Sequence, residues 1–310
     1  METVNTVTIG HLTLDDVVLP NGETHFDTPG GAALYAAGGV FLWEDKVGLV
    51  SRIGKDYEQK NINYLKELGL NLVGAKKVNK PNIHIWALYD RNENRYFIPQ
   101  KDGGKYEELA PTPKEIPEQY KKEAAGFHIA PMPLICQEKV LNALPEDKII
   151  TVDPHHEWVD SEYKTRWENI LKKVNVFLPS EEEFMIFWEI EKKDNLHDYK
   201  TYLKQTSNLG PEYVVLKVGS RGVVFYDRYK DEFHHIPSIA DKIVDVTGAG
   251  DAFCGGFLSG IIQKGDPYKA AMRGIVASSI VLEDFGVMHL LEADNKLVKK
   301  RKEKLKQILG

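Results

Sequence analysis

The run Asp245-Val246-Thr247-Gly248-Ala249-Gly250-Asp251, followed at once by the apolar segment 252–262, puts a carboxylate and several small residues where a loop becomes a helix. Gly248 and Gly250 let backbone approach a ligand closely, the first-turn N–H groups of a helix attract anions, and the helix dipole adds positive potential. Such a turn binds phosphate. A carboxylate beside bound phosphate repels it, so Asp251 needs a task, and the task that fits is accepting a proton. These residue types point to phosphoryl transfer to a hydroxyl. Asp251 is the candidate base, and the amides of Gly248, Ala249 and Gly250 are the candidate anion hole for charge developing on the transferring group. No lysine follows the glycines, so this is not a Walker-type loop.

Strand-like runs that could carry such a turn recur at 4–9, 47–51, 83–89, 95–98, 126–130, 148–152, 174–178, 213–218 and 222–226. Helical patterns at 57–68, 133–144 and 180–191 separate several of them. The alternation, with all-apolar strands in the second half, predicts a parallel sheet with helices on both faces. Segments 11–28 and 81–104 lack crossover helices, and 90–94 reads as a hairpin tip. These segments are expected to avoid the parallel sheet and to form a small β lid over the strand ends. The basic tail 296–306 reads as a surface helix whose cations complement its own C-terminal dipole.

The block DVTGAGDAFCGG, residues 245–256, resembles the C-terminal signature of the ribokinase (PfkB) family of small-molecule kinases. Residues 29–37, Pro-Gly-Gly-Ala-Ala-Leu-Tyr-Ala-Ala, are similar to that family's glycine-pair substrate motif. Weaker matches lie between them in the family's order: Gly10 to Asp15, Gly54-Lys55-Asp56, Asp153-Pro154, Pro179 to Glu183 and Gly219-Ser220-Arg221-Gly222. The likeness covers nearly the whole chain. It implies an α/β three-layer sandwich with a mostly parallel central sheet and a small β lid, a single kinase domain over residues 1–310. It also implies ATP and Mg²⁺ as cofactors and, in several members, K⁺.

The resemblance assigns further roles. Asp15 matches the aspartate that binds substrate hydroxyls, and a carboxylate accepts the paired hydrogen bonds of a vicinal diol; Asp16 is an equal acceptor by chemistry. Gly30 and Gly31 would let the substrate pack on bare backbone. Tyr35 stands where many family sugar kinases have asparagine, offering one hydroxyl and a broad ring. Lys217, Gly219, Ser220 and Gly222 match a loop lining the nucleotide, with residues 275–286 as the opposite wall. Lys217 either reaches the phosphates or snorkels from a strand end. Glu183 matches a residue that helps organise magnesium, while Ser180 and Glu183 also read as a capping box. Asp245 corresponds to an aspartate that, with nearby carbonyls, holds a monovalent cation, or else it simply caps a turn.

Composition narrows the rest. The 310 residues are 42% hydrophobic, enough for a real core, and 40 basic against 46 acidic residues give a net charge of −6, which argues against non-specific nucleic-acid binding. Cys136 and Cys254 lack a pairing pattern and read as reduced thiols of a cytoplasmic protein. No apolar run reaches membrane-span length, and the N-terminus lacks a secretory signal. Asp153, His155 and His156 have no third ligand at metal-binding spacing and read as structural. The function expected is transfer of the ATP γ-phosphoryl group to a hydroxymethyl group of a sugar or sugar-like molecule. The competing expectations are a nucleoside kinase, with Tyr35 and Trp86 stacking on a base, and a non-catalytic sugar sensor. Exposed lid strands would offer edges for a homodimer.

Overall fold

The computed structural model describes residues 3–18, 22–89, 95–99 and 106–310. Thirteen strands occur among them: β1 (Thr6–Ile9), β2 (Thr13–Val18), β3 (Thr24–Gly30), β4 (Val47–Ile53), β5 (Asn71–Lys77), β6 (Ile83–Tyr89), β7 (Arg95–Pro99), β8 (Gly126–Ile129), β9 (Ile149–Val152), β10 (Val176–Phe177), β11 (Tyr213–Lys217), β12 (Val223–Asp227) and β13 (Glu232–Ile236). Nine form one sheet in the order β13-β12-β11-β10-β9-β8-β1-β4-β5, and four form a second in the order β3-β2-β6-β7. The large sheet is parallel from β11 through β5, and only β12 and β13 add antiparallel pairs at one edge.

Both faces of the large sheet are covered, as the all-apolar strands require. Along β11, Tyr213 and Val215 enter one core while Val214 and Leu216 enter the other. The first core lies under the helices Ala32–Phe41, Ala249–Lys264, Pro267–Val281 and Asn295–Leu309. The second lies under Leu134–Leu141, Lys164–Leu171, Glu181–Trp188 and Lys200–Asn208. On β1 the alternation takes a polar form: Val7 and Ile9 face the second core, while Thr8 turns the other way and donates to the Ala33 carbonyl at 2.9 Å. The helix that opens with the glycine run is pressed backbone to backbone on Ala32–Phe41. A Cβ at Gly255 would stand 1.9 Å from the Ala36 oxygen, and one at Gly39 would stand 2.1 Å from the Ala252 oxygen.

The small sheet comes from the segments expected to stay out of the large one, with a difference in pairing. β2 and β6 run parallel, Thr13 opposite Ile83 through Val18 opposite Leu88. A long stretch of chain, including β4 and β5, separates them, which is the crossover a parallel pair needs. The expected hairpin tip at 90–94 lies outside the described residues. Asn82, fully buried, joins the two sheets: its side-chain oxygen accepts from Gly54 N (2.9 Å), its amide donates to Asp56 Oδ1 (2.6 Å), and its Nδ2 donates to the Leu12 carbonyl (3.3 Å). Among the described residues no helix is long and apolar enough to cross a membrane.

Candidate active site

From β1 the chain builds outward through β4 and β5, then returns to build outward from β8 through β9, β10 and β11. The order therefore reverses between β1 and β8, and ligands of open parallel sheets bind beyond the strand ends at such a point. A cleft of about 470 Å³ opens there. Its floor and walls come from residues just past strand ends, including His11 after β1, Met132 after β8 and His155 to Trp158 after β9. Asp15, Gly31 and Tyr35 line it with Gly248 and Asp251, so one cavity joins the N-terminal and C-terminal candidates.

The cradle is set by Gly248, the N-cap of the Ala249–Lys264 helix, at φ 72° and ψ 2°. A side chain there would be strained and would also strike the ring of buried Tyr35, 2.1 Å from its Cδ1. Tyr35 thus supports the cradle from beneath as well as facing the cleft. The first i to i−4 bond of the helix is Ala252 N to Gly248 O at 2.8 Å, so the amides of Gly250 and Asp251 precede the intrahelical ladder. The loop before it is held by Asp245, buried, whose Oδ1 accepts from both the amide (2.8 Å) and the hydroxyl of Thr247. Asp245 therefore does cap a turn. It is also tied across to the segment after Val281, since Val244 N donates to the Leu282 carbonyl at 2.7 Å.

Beneath Gly250 lies a charge cluster. The Lys217 ammonium pairs with the buried carboxylate of Asp153, and Cys254 Sγ lies 3.7 Å from Lys217 Nζ and 3.4 Å from Asp153 Oδ2. A Cβ at Gly250 would lie 3.5 Å from that Nζ. Burial opposes the Lys217 charge, but Asp153, Cys254, Glu183 and Asp251 together hold the ammonium well above its ordinary range. Lys217 points inward and does not snorkel. Ser180 and Glu183 form the capping box, Ser180 N to Glu183 Oε2 at 2.7 Å and Glu183 N to Ser180 Oγ at 3.3 Å. Ser180, Lys217, Gly219 and Ser220 line an adjoining depression, while Gly222 closes the turn by donating to the Gly219 carbonyl at 2.9 Å. Among the described residues no group of three or more His, Cys, Asp or Glu could hold a metal ion, but Mg²⁺ carried by nucleotide phosphates needs only one or two carboxylates.

Strand pleating decides between the two neighbouring aspartates. Asp15 lines the cleft, its Oδ1 accepting from Thr13 Oγ1 at 2.7 Å, whereas Asp16 accepts from the Asp27 amide at 2.8 Å. Gly30 lies against the Asp15 carboxylate so closely that a Cβ would be 2.1 Å from Oδ2. The same pleat sends Ile85 into the cleft, while Trp86 packs edge-on against Phe26 at 5.9 Å. The aromatic wall expected of Trp86 is supplied instead by Tyr106, His155, His156 and Trp158, with His155 stacked on His156 at 4.4 Å.

Several of these wall residues were not legible as a site in sequence: Tyr106 and Trp158 sit in no motif, His11 lies in the segment Gly10 to Asp15 but was given no role, and the histidine pair looked structural. Arg301 was missed as well. It is a buried cation of the tail helix that pairs with Asp241, ahead of the cradle loop, and with Glu283, just past Leu282. Most of the tail's other cations are exposed, as expected of a surface helix.

The sequence profile described as pfkB family carbohydrate kinase matches residues 7–294. The chain is 33% identical over 283 residues to a cytidine kinase of Thermococcus kodakarensis, covering 90% of this chain and 96% of that protein. A nucleoside kinase of Methanocaldococcus jannaschii is 27% identical over 313 residues, covering 94% and 95%. Among solved structures, a putative ribokinase II of E. coli in complex with ATP and Mg²⁺ superposes with a TM-score of 0.78 at 18% identity, over 98% of this chain and 99% of that one. With a glycine cradle at a helix start, a carboxylate within it and a family profile spanning nearly the whole length, this chain belongs to the pfkB family of carbohydrate kinases.

Proposed function

We propose that the chain is an ATP-dependent kinase that phosphorylates the hydroxymethyl group of a nucleoside. The observation that carries this reading is the composition of this cleft. Asp15 offers a hydroxyl-binding carboxylate and Asp251 a proton acceptor, while Tyr106, His155, His156 and Trp158 add a broad aromatic wall. A planar base can stack across the whole of that wall, whereas a free sugar offers it only a narrow C–H face. The full-length likeness to a cytidine kinase and a nucleoside kinase supports the same choice.

Asp251 would accept the proton of the attacking hydroxyl, and the amides of Gly248 and Gly250 would stabilise the phosphoryl charge, while that of Ala249, which donates to the Val246 carbonyl at 3.4 Å, would join them by exchanging that long bond. Lys217, held charged beneath Gly250, would add a fixed positive field at the same point. Gly219, Ser220 and Gly222 would shape the nucleotide loop. Mg²⁺ arriving with ATP would be oriented through Glu183 and would spread the phosphate charge. Asp245 keeps the cradle loop in shape and is the candidate neighbour of a monovalent cation. The four-stranded sheet would act as a lid that excludes water from the reacting phosphate.

A panel of cytidine, uridine, adenosine, inosine, ribose and fructose with ATP, Mg²⁺ and K⁺ tests the reading. Turnover of nucleosides above free sugars is expected. Turnover of sugars alone would favour the competing carbohydrate reading, which Asp15 and Gly30 serve equally well. Binding without ATP consumption under any cation would indicate a sensor.

A further inference from the structure

Two histidines of the cleft have tautomers set by backbone partners, and the two are the same. His11 Nε2 lies 2.7 Å from the Tyr106 carbonyl oxygen. A carbonyl can only accept, so Nε2 carries the proton and Nδ1 keeps a lone pair. In His155 the Nδ1 atom accepts from the Glu157 amide at 3.3 Å, so the neutral ring carries its proton on Nε2. Burial keeps both rings neutral, holding each down at about 4. With Nδ1 committed to its own backbone, the edge His155 has for a ligand is an N–H donor. Glu157 lines the same wall, is exposed, and can only accept when ionised.

We propose that His155 and Glu157 read the base of the acceptor nucleoside and select bases bearing an exocyclic amine next to an unprotonated ring nitrogen. The inference rests on the nucleoside reading above and specifies the substrate class. Cytosine and adenine present that amine and that lone pair side by side. The amine donates to the carboxylate, and the ring nitrogen accepts from Nε2–H. Uracil and hypoxanthine present a carbonyl and a ring N–H instead, setting oxygen against carboxylate and N–H against N–H. The preference cannot be escaped by moving the imidazole proton, because Nδ1 is occupied by the Glu157 amide. Trp158 at 4.7 Å and His156 at 4.4 Å from the His155 ring hold its orientation. A matched pair of hydrogen bonds is worth enough for about tenfold discrimination or more.

The test compares kcat/KM for cytidine against uridine and for adenosine against inosine, at saturating ATP. The wild-type protein should favour the amino base of each pair by about tenfold or more. In Glu157→Gln the amide can both donate and accept, so each ratio should collapse to within about threefold, with the melting temperature unchanged. Nucleoside turnover with no amino-base preference, or a ratio that Glu157→Gln leaves intact, overturns the base-reading pair alone. Turnover of free sugars with no nucleoside overturns it together with the nucleoside reading.

Discussion

Gly248 to Asp251, with Asp153 and Lys217 beneath them, stand over the interior of the nine-stranded sheet. The opposite wall of the cleft is drawn from β2, the short helix Tyr106–Leu109 and a 3₁₀ turn at His156–Trp158. The first half is one contiguous run backed by a buried ion pair and by a helix packed backbone to backbone on its neighbour. The second half is assembled from these three separate stretches of chain and includes exposed residues such as His156 and Glu157. The contrast is between chemistry that must be pre-oriented, and so is placed on elements that cannot shift, and selection of the acceptor, which rests on side chains that can change without disturbing the core.

Exchanging Asp251 for asparagine should test the cradle half most severely. The loss expected is about 10²–10⁴ in kcat, with ATP and acceptor affinity retained in calorimetry. A variant that kept its turnover would remove the base from the mechanism. Lys217→Met leaves the Asp153 carboxylate buried and unpaired, a change that typically costs about 3–5 kcal/mol, to be read from urea unfolding. Combining it with Asp153→Leu should restore part of that stability, and failure to do so would mean that the pair is not the support of the cradle.

On the acceptor side, Asp15→Asn should raise the acceptor KM by about tenfold or more, since hydrogen bonds to a charged group are worth about 1.5–3 kcal/mol, while the ATP KM stays put. An equal rise in both would erase the division between the halves. Arg301→Met sharpens the boundary from outside. By releasing Asp241 and Glu283 it should loosen the loops on either side of the cradle and raise the ATP KM by about threefold to tenfold, a cost near 1 kcal/mol, with the acceptor KM little changed.

A separate test is one of pH. Burial lowers His11 and His155 from 6.5 to about 4, so between those values the unfolded chain binds protons that the folded chain does not. Their contribution to stability is complete above pH 6.5 and is lost as pH falls toward 4. Melting temperature should decline across that window, and His11→Asn should flatten part of the decline.

Within the large sheet, the strands named from sequence are those of its interior and β12, where apolar runs are continuous, and 83–89 and 95–98, also named, fall in the small sheet as β6 and β7. β5 and β13 were not named, and both lie at the edges of the large sheet, where strands carry charge and lose the apolar signal. The same logic separates the site residues. Asp251 and its glycines announce themselves because a turn, a helix start and a carboxylate must be contiguous to work. His11, Tyr106 and His155 come together only because β1 and β8 are neighbours at the reversal of strand order.

By itself, then, the chain's order of residues determined the cradle, its candidate base and the alternation that demands a covered parallel sheet, all of which depend on local spacing. Which of Asp15 and Asp16 faces the cleft, that Lys217 turns inward to Asp153, and that the tail's Arg301 braces the loops around the cradle were decided only by tertiary structure. The direction of a side chain and the partner of a buried charge depend on pleat and packing between segments far apart in the chain.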